Sequence, residues 1–267
     1  MKLTILVDNN TIIDRYYKGE PALSFLLELN NKKILFDTGY SDLFLENAKK
    51  MNIDLSNIDY LVLSHGHNDH IGGIKYLINI LRTKPILIAH PDIFYKKIDE
   101  DNSNIGFDDI IIENNFIFKL SKTPVFIDKN LLFLGEIPRN NSFEAKENIG
   151  FYTEKGVSKP DYLLDDSALV YKTTDGINII TGCSHSGIIN IINYAKSVFN
   201  ESRVNSLIGG FHLLNENKIL INQTIENLKS ISPKTVYPCH CTELIAKCEL
   251  LNNFNVKEIG VGTVLNF

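Results

Sequence analysis

Positive charge is in deficit in this sequence. Its 267 residues carry 27 lysines and arginines against 32 aspartates and glutamates, a formal net charge of −5. Such a chain has no whole-molecule attraction to phosphate backbones or anionic lipid, so general nucleic-acid or membrane-surface binding would need a local basic patch. Long apolar runs are absent too, and none reaches the roughly 18 residues that span a bilayer. The opening Met1-Lys2-Leu3-Thr4-Ile5-Leu6-Val7 meets Asp8 too early for a secretory signal. The expectation is a cytoplasmic protein with no nucleic-acid or membrane partner.

Cysteine is scarce. The four residues, Cys183, Cys239, Cys241 and Cys248, fall in the last third of the chain and match neither a zinc-finger spacing nor a disulfide framework. Cys239-His240-Cys241 is a C-x-C around a histidine, not the C-x-x-C of a redox site or zinc ribbon. Small buried thiols beside a functional histidine is the plainer reading for all but Cys183. There is also no short-period repeat and no linker rich enough to split the chain. With 44% apolar and 22% charged residues, the composition is that of an ordinary globular protein. Residues 1–267 therefore read as one domain with one extended core.

The apolar pattern supplies the elements. Thr4 to Val7, Leu23 to Leu29, Lys33 to Phe36 and Tyr60 to Leu63 read as strands, with a helix over 41–51. Ile71, Ile74, Leu77, Ile78 and Leu81 recur at helical spacing, and Pro85 to Ala89 is a further strand. A short helix is expected near 92–98 and strands within 116–136. Residues 137–162 lack periodicity, and a loop of that length is more often functional than ornamental, so it is placed near the site. Strands then follow at Ala168 to Tyr171, Ile177 to Thr181, 204–208, 235–237 and 257–261. Helices are expected after Gly187 and near 218–230 and 242–251. Runs of strands followed by strand-helix alternation, twice over, give an α+β protein of two sheets with helices outside both.

Between the Tyr60 strand and the helix from Ile71 lies Ser64-His65-Gly66-His67-Asn68-Asp69-His70. Side chains alternate along extended backbone, so His65 and His67 can meet one cation, while Asp69 and His70 at the turn can face a second. Three histidines and an aspartate in six residues, directly after a buried strand, make ordinary surface histidines the weaker reading.

This H-x-H-x-D-H stretch resembles the metallo-β-lactamase superfamily, as does Asp37-Thr38-Gly39, whose aspartate would support the metal loop through hydrogen bonds. Within it the chain is similar to a branch of metal-dependent hydrolases that includes the archaeal 7,8-dihydropterin-6-methyl-4-(β-D-ribofuranosyl)aminobenzene 5′-phosphate synthase. Gly135-Glu136-Ile137-Pro138-Arg139, Asp165-Asp166-Ser167, Gly182-Cys183-Ser184-His185, Gly209-Gly210-Phe211-His212 and His240-Cys241-Thr242 carry that likeness. It implies an αββα sandwich of two mixed sheets and a dinuclear centre, with zinc first and manganese or iron as alternatives.

The resemblance implies further ligands at His185 and His240. No aspartate stands where the superfamily's bridging carboxylate falls, which leaves Asp166 or the Cys183 thiolate as substitutes. His212, after another strand, would bind substrate, donate a proton or touch metal. Asp69 would also orient the nucleophile, and Arg139 is a candidate anion clamp. His90, before Pro91, would cap or order its loop. The reading is a hydrolase or transferase acting on a small phosphorylated or heterocyclic molecule, with a homodimer as the commonest assembly. The alternatives are an acyl hydrolase acting on a lactone, thioester or β-lactam, and a non-catalytic di-iron redox or binding module.

Overall fold

A computed structural model of the chain describes residues 1–108, 110–214 and 217–267. In chain order its elements are β1 (Lys2–Val7), β2 (Ser24–Leu29), β3 (Lys32–Phe36), α1 (Leu43–Lys50), β4 (Tyr60–Val62), α2 (Asn68–Ile71), α3 (Ile74–Leu77), β5 (Ile86–Ala89), β6 (Lys96–Ile98) and β7 (Ile117–Leu120). There follow β8 (Val125–Asp128), β9 (Leu131–Phe133), β10 (Phe151–Glu154), β11 (Val157–Pro160), β12 (Ala168–Thr173), β13 (Gly176–Thr181) and α4 (Ile188–Phe199). The last are β14 (Val204–Gly209), α5 (Lys218–Ile231), β15 (Thr235–Pro238), α6 (Leu244–Asn253) and β16 (Val264–Asn266). No helix among the described residues is long and apolar enough to cross a membrane.

The chain divides into two compact units: 1–121 with 149–161 and 260–267, and 122–148 with 162–259. The first holds a mixed seven-stranded sheet of order β16-β1-β2-β3-β4-β5-β7. β2 runs antiparallel to both β1 and β3, and β3, β4, β5 and β7 run parallel. The carboxyl ends of β1, β3, β4 and β5 therefore leave the sheet at one edge, the edge where open parallel sheets place their ligands. Strand interiors there are apolar and buried, whereas Asp8, Asp37, Ser64, His65 and His90 just beyond them are polar and equally buried. Leu43, Phe44 and Ala48 of α1 join Ile71, Ile74 and Leu77 against Leu26, Leu35, Leu61 and Leu87 in one core.

The second unit repeats the logic with a six-stranded sheet, β15-β14-β13-β12-β9-β8. β13, β14 and β15 are parallel, while β12 is antiparallel to β13 and to β9. The ends of β9, β13, β14 and β15 again share an edge. Ile188, Ile191, Ile192 and Ala195 of α4, Ile221, Ile225 and Leu228 of α5, and Ala246 and Leu250 of α6 form its core with Val170, Ile179 and Leu207. A carboxylate from the long loop stands at the start of α4. Glu144 accepts the N–H groups of Ile189 (2.9 Å) and Asn190 (3.0 Å), satisfying donors a helix start leaves open. In return Asn190 Oδ1 accepts the N–H groups of Asn140 and Asn141.

Four expectations need correction. The helix from Ile71 is two single turns, because Gly73 gives its N–H to the Gly39 carbonyl (3.0 Å); Gly72 and Gly73 also lie against backbone, where a Cβ would stand 2.6 Å from the Tyr40 carbonyl and 2.3 Å from that of Thr38. The 92–98 helix is a short 3-10 turn at Pro91–Phe94 followed by β6. The unpatterned 137–162 segment contains a hairpin, β10–β11, that adds to β6 as a three-stranded sheet. Residues 257–261 form no strand; only isolated bridges, Val236 with Val256 and Thr11 with Val261, flank them.

Candidate metal centre

In the first unit the site is built around Asp37, at the end of β3. Its backbone is left-handed (φ 57°), a conformation aspartate tolerates better than most residues. The turn directs the fully buried carboxylate at the end of β4. Oδ1 accepts the Ser64 N–H at 2.7 Å, and Oδ2 accepts both the Ser64 hydroxyl (2.7 Å) and His70 Nδ1–H (2.7 Å). An ionised carboxylate only accepts, so these bonds fix the other protons. With its hydrogen given to Asp37, the Ser64 oxygen accepts from His65 Nδ1 at 3.0 Å. The Nε2 atoms of His65 and His70 are left for other partners, and one buried aspartate has set two tautomers.

The remaining side chains gather on these rings. The His65 and His70 ring centroids are 4.2 Å apart and those of His65 and His67 4.8 Å, with Asp69 Oδ2 3.4 Å from His70 Nε2. Burial alone would push the His70 proton off, but the charges of Asp69 and Asp37 and their hydrogen bonds overcome this and raise its pKa to about 10. His90, expected to order its loop, accepts the Asp92 N–H through Nδ1 at 3.1 Å.

In the second unit, three loops at the strand ends are laced together. Gly210 N–H donates to the Gly182 carbonyl (2.9 Å), and the Thr181 and Ser184 hydroxyls donate to the Gly210 carbonyl at 2.9 and 2.7 Å. Phe211 N–H donates to Thr242 Oγ1 (3.0 Å) and Cys241 Sγ to the Cys183 carbonyl (3.5 Å). The approach is close enough that a Cβ on Gly210 would lie 2.5 Å from Cys241 Sγ.

Donor atoms of Cys183, His185 and His212 consequently lie within 4.8 Å of one another, and those of Cys183 and His240 likewise. Burial pushes the Cys241 thiol up, yet hydrogen bonding with Cys183 and His212 and the charges of His240 and His212 leave it well below the ordinary thiol range. Ser184, His212 and His240 share the left-handed backbone of Asp37, at φ of 64°, 48° and 49°.

Asp166 braces this corner. Burial raises its carboxyl to about 6, opposed by hydrogen bonds from the Ser186 hydroxyl, the Ser186 N–H and the His185 backbone. Its Oδ2 thus secures the loop that presents His185. Arg139 uses Nη2 to hold the carbonyls of Tyr162 and Leu163, the latter also left-handed, so it steadies the turn leading to Asp166. Local hydrogen bonding is an ordinary role for an aspartate in such a turn, and Cys241 is legible as a thiol beside His240, but the turn-holding role of Arg139 and the roles of Ser64 and Glu144 are not. Ser64, directly before the histidines, and Cys241, directly after His240, carry a positional signal.

Residues 17–199 match the metallo-β-lactamase superfamily model, and the chain belongs to that family. It is 36% identical over 263 residues to protein MJ0448 of Methanocaldococcus jannaschii, covering 97% of this chain and 98% of that one. It is 29% identical over 293 residues to the same organism's 7,8-dihydropterin-6-methyl-4-(β-D-ribofuranosyl)-aminobenzene-5′-phosphate synthase, covering 100% and 97%. Among solved structures, Tm1679, a metal-dependent hydrolase of the β-lactamase superfamily, superposes with a TM-score of 0.87 at 29% identity, covering 100% and 99% of the two chains. The fold is therefore the α+β metallo-β-lactamase fold, with its two mixed sheets.

Proposed function

We propose that the chain, residues 1–267 read as one domain, is a two-metal enzyme acting on a small phosphorylated or heterocyclic molecule. The proposed ligands to two divalent cations, zinc first and manganese or iron as alternatives, are His65, His67, Asp69, His70, His185 and His240. The observation that carries this reading is the Asp37 network. A buried carboxylate spent on fixing two imidazole tautomers makes sense when the opposite nitrogens serve as ligands. The imidazole and carboxylate donors suit a borderline divalent ion, and Cys183 adds a thiolate for a softer one.

Bound divalent ions would supply acidification of a water molecule and neutralisation of charge on the substrate. Asp69 orients the attacking oxygen and accepts its proton. His212 donates a proton to the departing oxygen. Asp37 and Asp166 keep the ligand loops in place, and Arg139, which steadies its turn through Nη2, serves as the anion clamp for the substrate. The synthase relative supports a phosphorylated, pterin-like substrate. The net charge of −5 supports a small-molecule partner over nucleic acid or membrane, and we place the protein in the cytoplasm as a homodimer.

The test is metal analysis with an activity panel. The protein loaded with zinc or manganese should turn over a phosphodiester reporter, and His67→Ala should abolish that. Turnover of a thioester reporter alone would favour an acyl hydrolase. Two irons per chain with no turnover would favour a redox module.

A further inference from the structure

One buried ion pair in the first unit lies outside the donor set. Lys97 Nζ meets Asp161 Oδ2 at 2.6 Å, with side chains only 2% and 5% exposed. Removing both charges from water is expensive, and two apolar residues would fill the space at least as well, so such a pair is better explained by the geometry it defines than by stability.

The geometry leads to the metal loop. Lys97 lies on β6 and Asp161 directly follows β11. Asp161 is tied into its hairpin by N–H donation to the Gly150 carbonyl and acceptance from Ile149 N–H. On the other side, the Lys97 carbonyl accepts Ile105 N–H at 3.1 Å, and the Ile105 carbonyl accepts Asn68 N–H at 2.8 Å. Asn68 Nδ2 adds a bond to the Asn104 carbonyl at 3.1 Å. Asn68 is the residue between His67 and Asp69. Close approach makes the connection stiff: a Cβ on Gly106 would lie 2.8 Å from Lys97 N, and one on Gly150 2.1 Å from the Ile98 carbonyl.

We propose that Lys97 and Asp161 are a positioning pair: they latch the β10–β11 hairpin to β6 and, through Ile105, set the peptide that carries His67 and Asp69. The latch gives the long loop of the sequence a defined task beside the site, and its link to metal geometry rests on the two-metal reading above.

The test uses the full chain, metal-free and cobalt-loaded, with Lys97→Met, Asp161→Asn and the double reversal Lys97→Asp/Asp161→Lys. In the metal-free protein, either single substitution should speed exchange of the Asn68 amide by about tenfold or more while amides of β2 and β3 keep their protection. The cobalt-loaded variants should show a shifted visible absorption band, and the reversal should recover part of both effects. Wild-type exchange at Asn68 in a folded single variant would overturn the proposal. Should the single variants not fold, Lys97→Arg is read in the same way, with faster exchange expected and unchanged exchange overturning it. Faster exchange at Asn68 in a protein that takes up no cobalt would support the latch and count against the two-metal reading.

Discussion

The Asp37 carboxylate accepts the Nδ1 proton of His70 at 2.7 Å with both side chains fully buried, although the two residues lie 33 positions apart. This contact joins the end of β3 to the turn after β4. It also decides which histidine nitrogen faces Asp69.

Replacing the carboxylate by its amide keeps the shape and the left-handed backbone, since asparagine shares that tolerance. Asp37→Asn must then present an acceptor to Ser64 and His70 with one oxygen instead of two. Zinc affinity should fall about 10- to 100-fold by chelator competition, with the circular dichroism spectrum retained. Wild-type affinity in Asp37→Asn would remove the network from the account of metal binding.

His70 makes the metal-free protein pH-sensitive. Its folded value of about 10 lies above the unfolded value of ~6.5, so the stabilisation is complete below ~6.5 and is lost as pH rises towards 10. A cation must displace the Nε2 proton, so apparent zinc affinity should strengthen about tenfold per pH unit between pH 7 and 9. Chelator competition at pH 7, 8 and 9 measures the slope, and a flat profile would contradict it.

Cys241 should lose the proton it gives to the Cys183 carbonyl at a lower pH than an ordinary thiol, whose value is ~8.5. Iodoacetamide should label it in the metal-free protein at a lower pH than a free model thiol, and His212→Ala should move that labelling to higher pH. Peptide mass spectrometry gives the site. Labelling that begins only above pH 8 would show that the histidines do not act on this sulfur.

Glu144 is tested by truncation. Glu144→Ala leaves the Ile189 and Asn190 N–H groups without their carboxylate and should cost about 1–3 kcal/mol in urea unfolding. An unchanged unfolding midpoint would mean that water replaces the side chain at no cost.

Legibility in the sequence followed the range of the interactions. His65 to His70 could be read because the donors are contiguous, and α4 because Ile188, Ile191, Ile192 and Ala195 recur at helical spacing. β10 and β11 left no such trace: Val157 to Pro160 is exposed throughout, so no apolar face marks the strand. The 92–98 segment carries helical spacing, but His90 capping ahead of Pro91 closes a tighter turn, and the chain then extends to pair with β10. Gly72-Gly73 reads as permission for close approach, but the Gly73 N–H bond to the Gly39 carbonyl that interrupts the helix leaves no mark in the sequence. Lys97–Asp161 and Cys183–Cys241, 64 and 58 residues apart, come together only through the fold.

The left-handed backbone at Asp37, Ser184, His212 and His240 also constrains how this protein can diversify. Valine, isoleucine and threonine are disfavoured at those corners whatever chemistry they would bring, while glycine, asparagine, aspartate and histidine fit. On the two-metal reading, descendants that acquired a new cation preference would thus draw a replacement for His240 from a short alphabet. Two members of that alphabet, aspartate and histidine, are themselves metal ligands, so the main chain favours exchange of one donor for another over its loss.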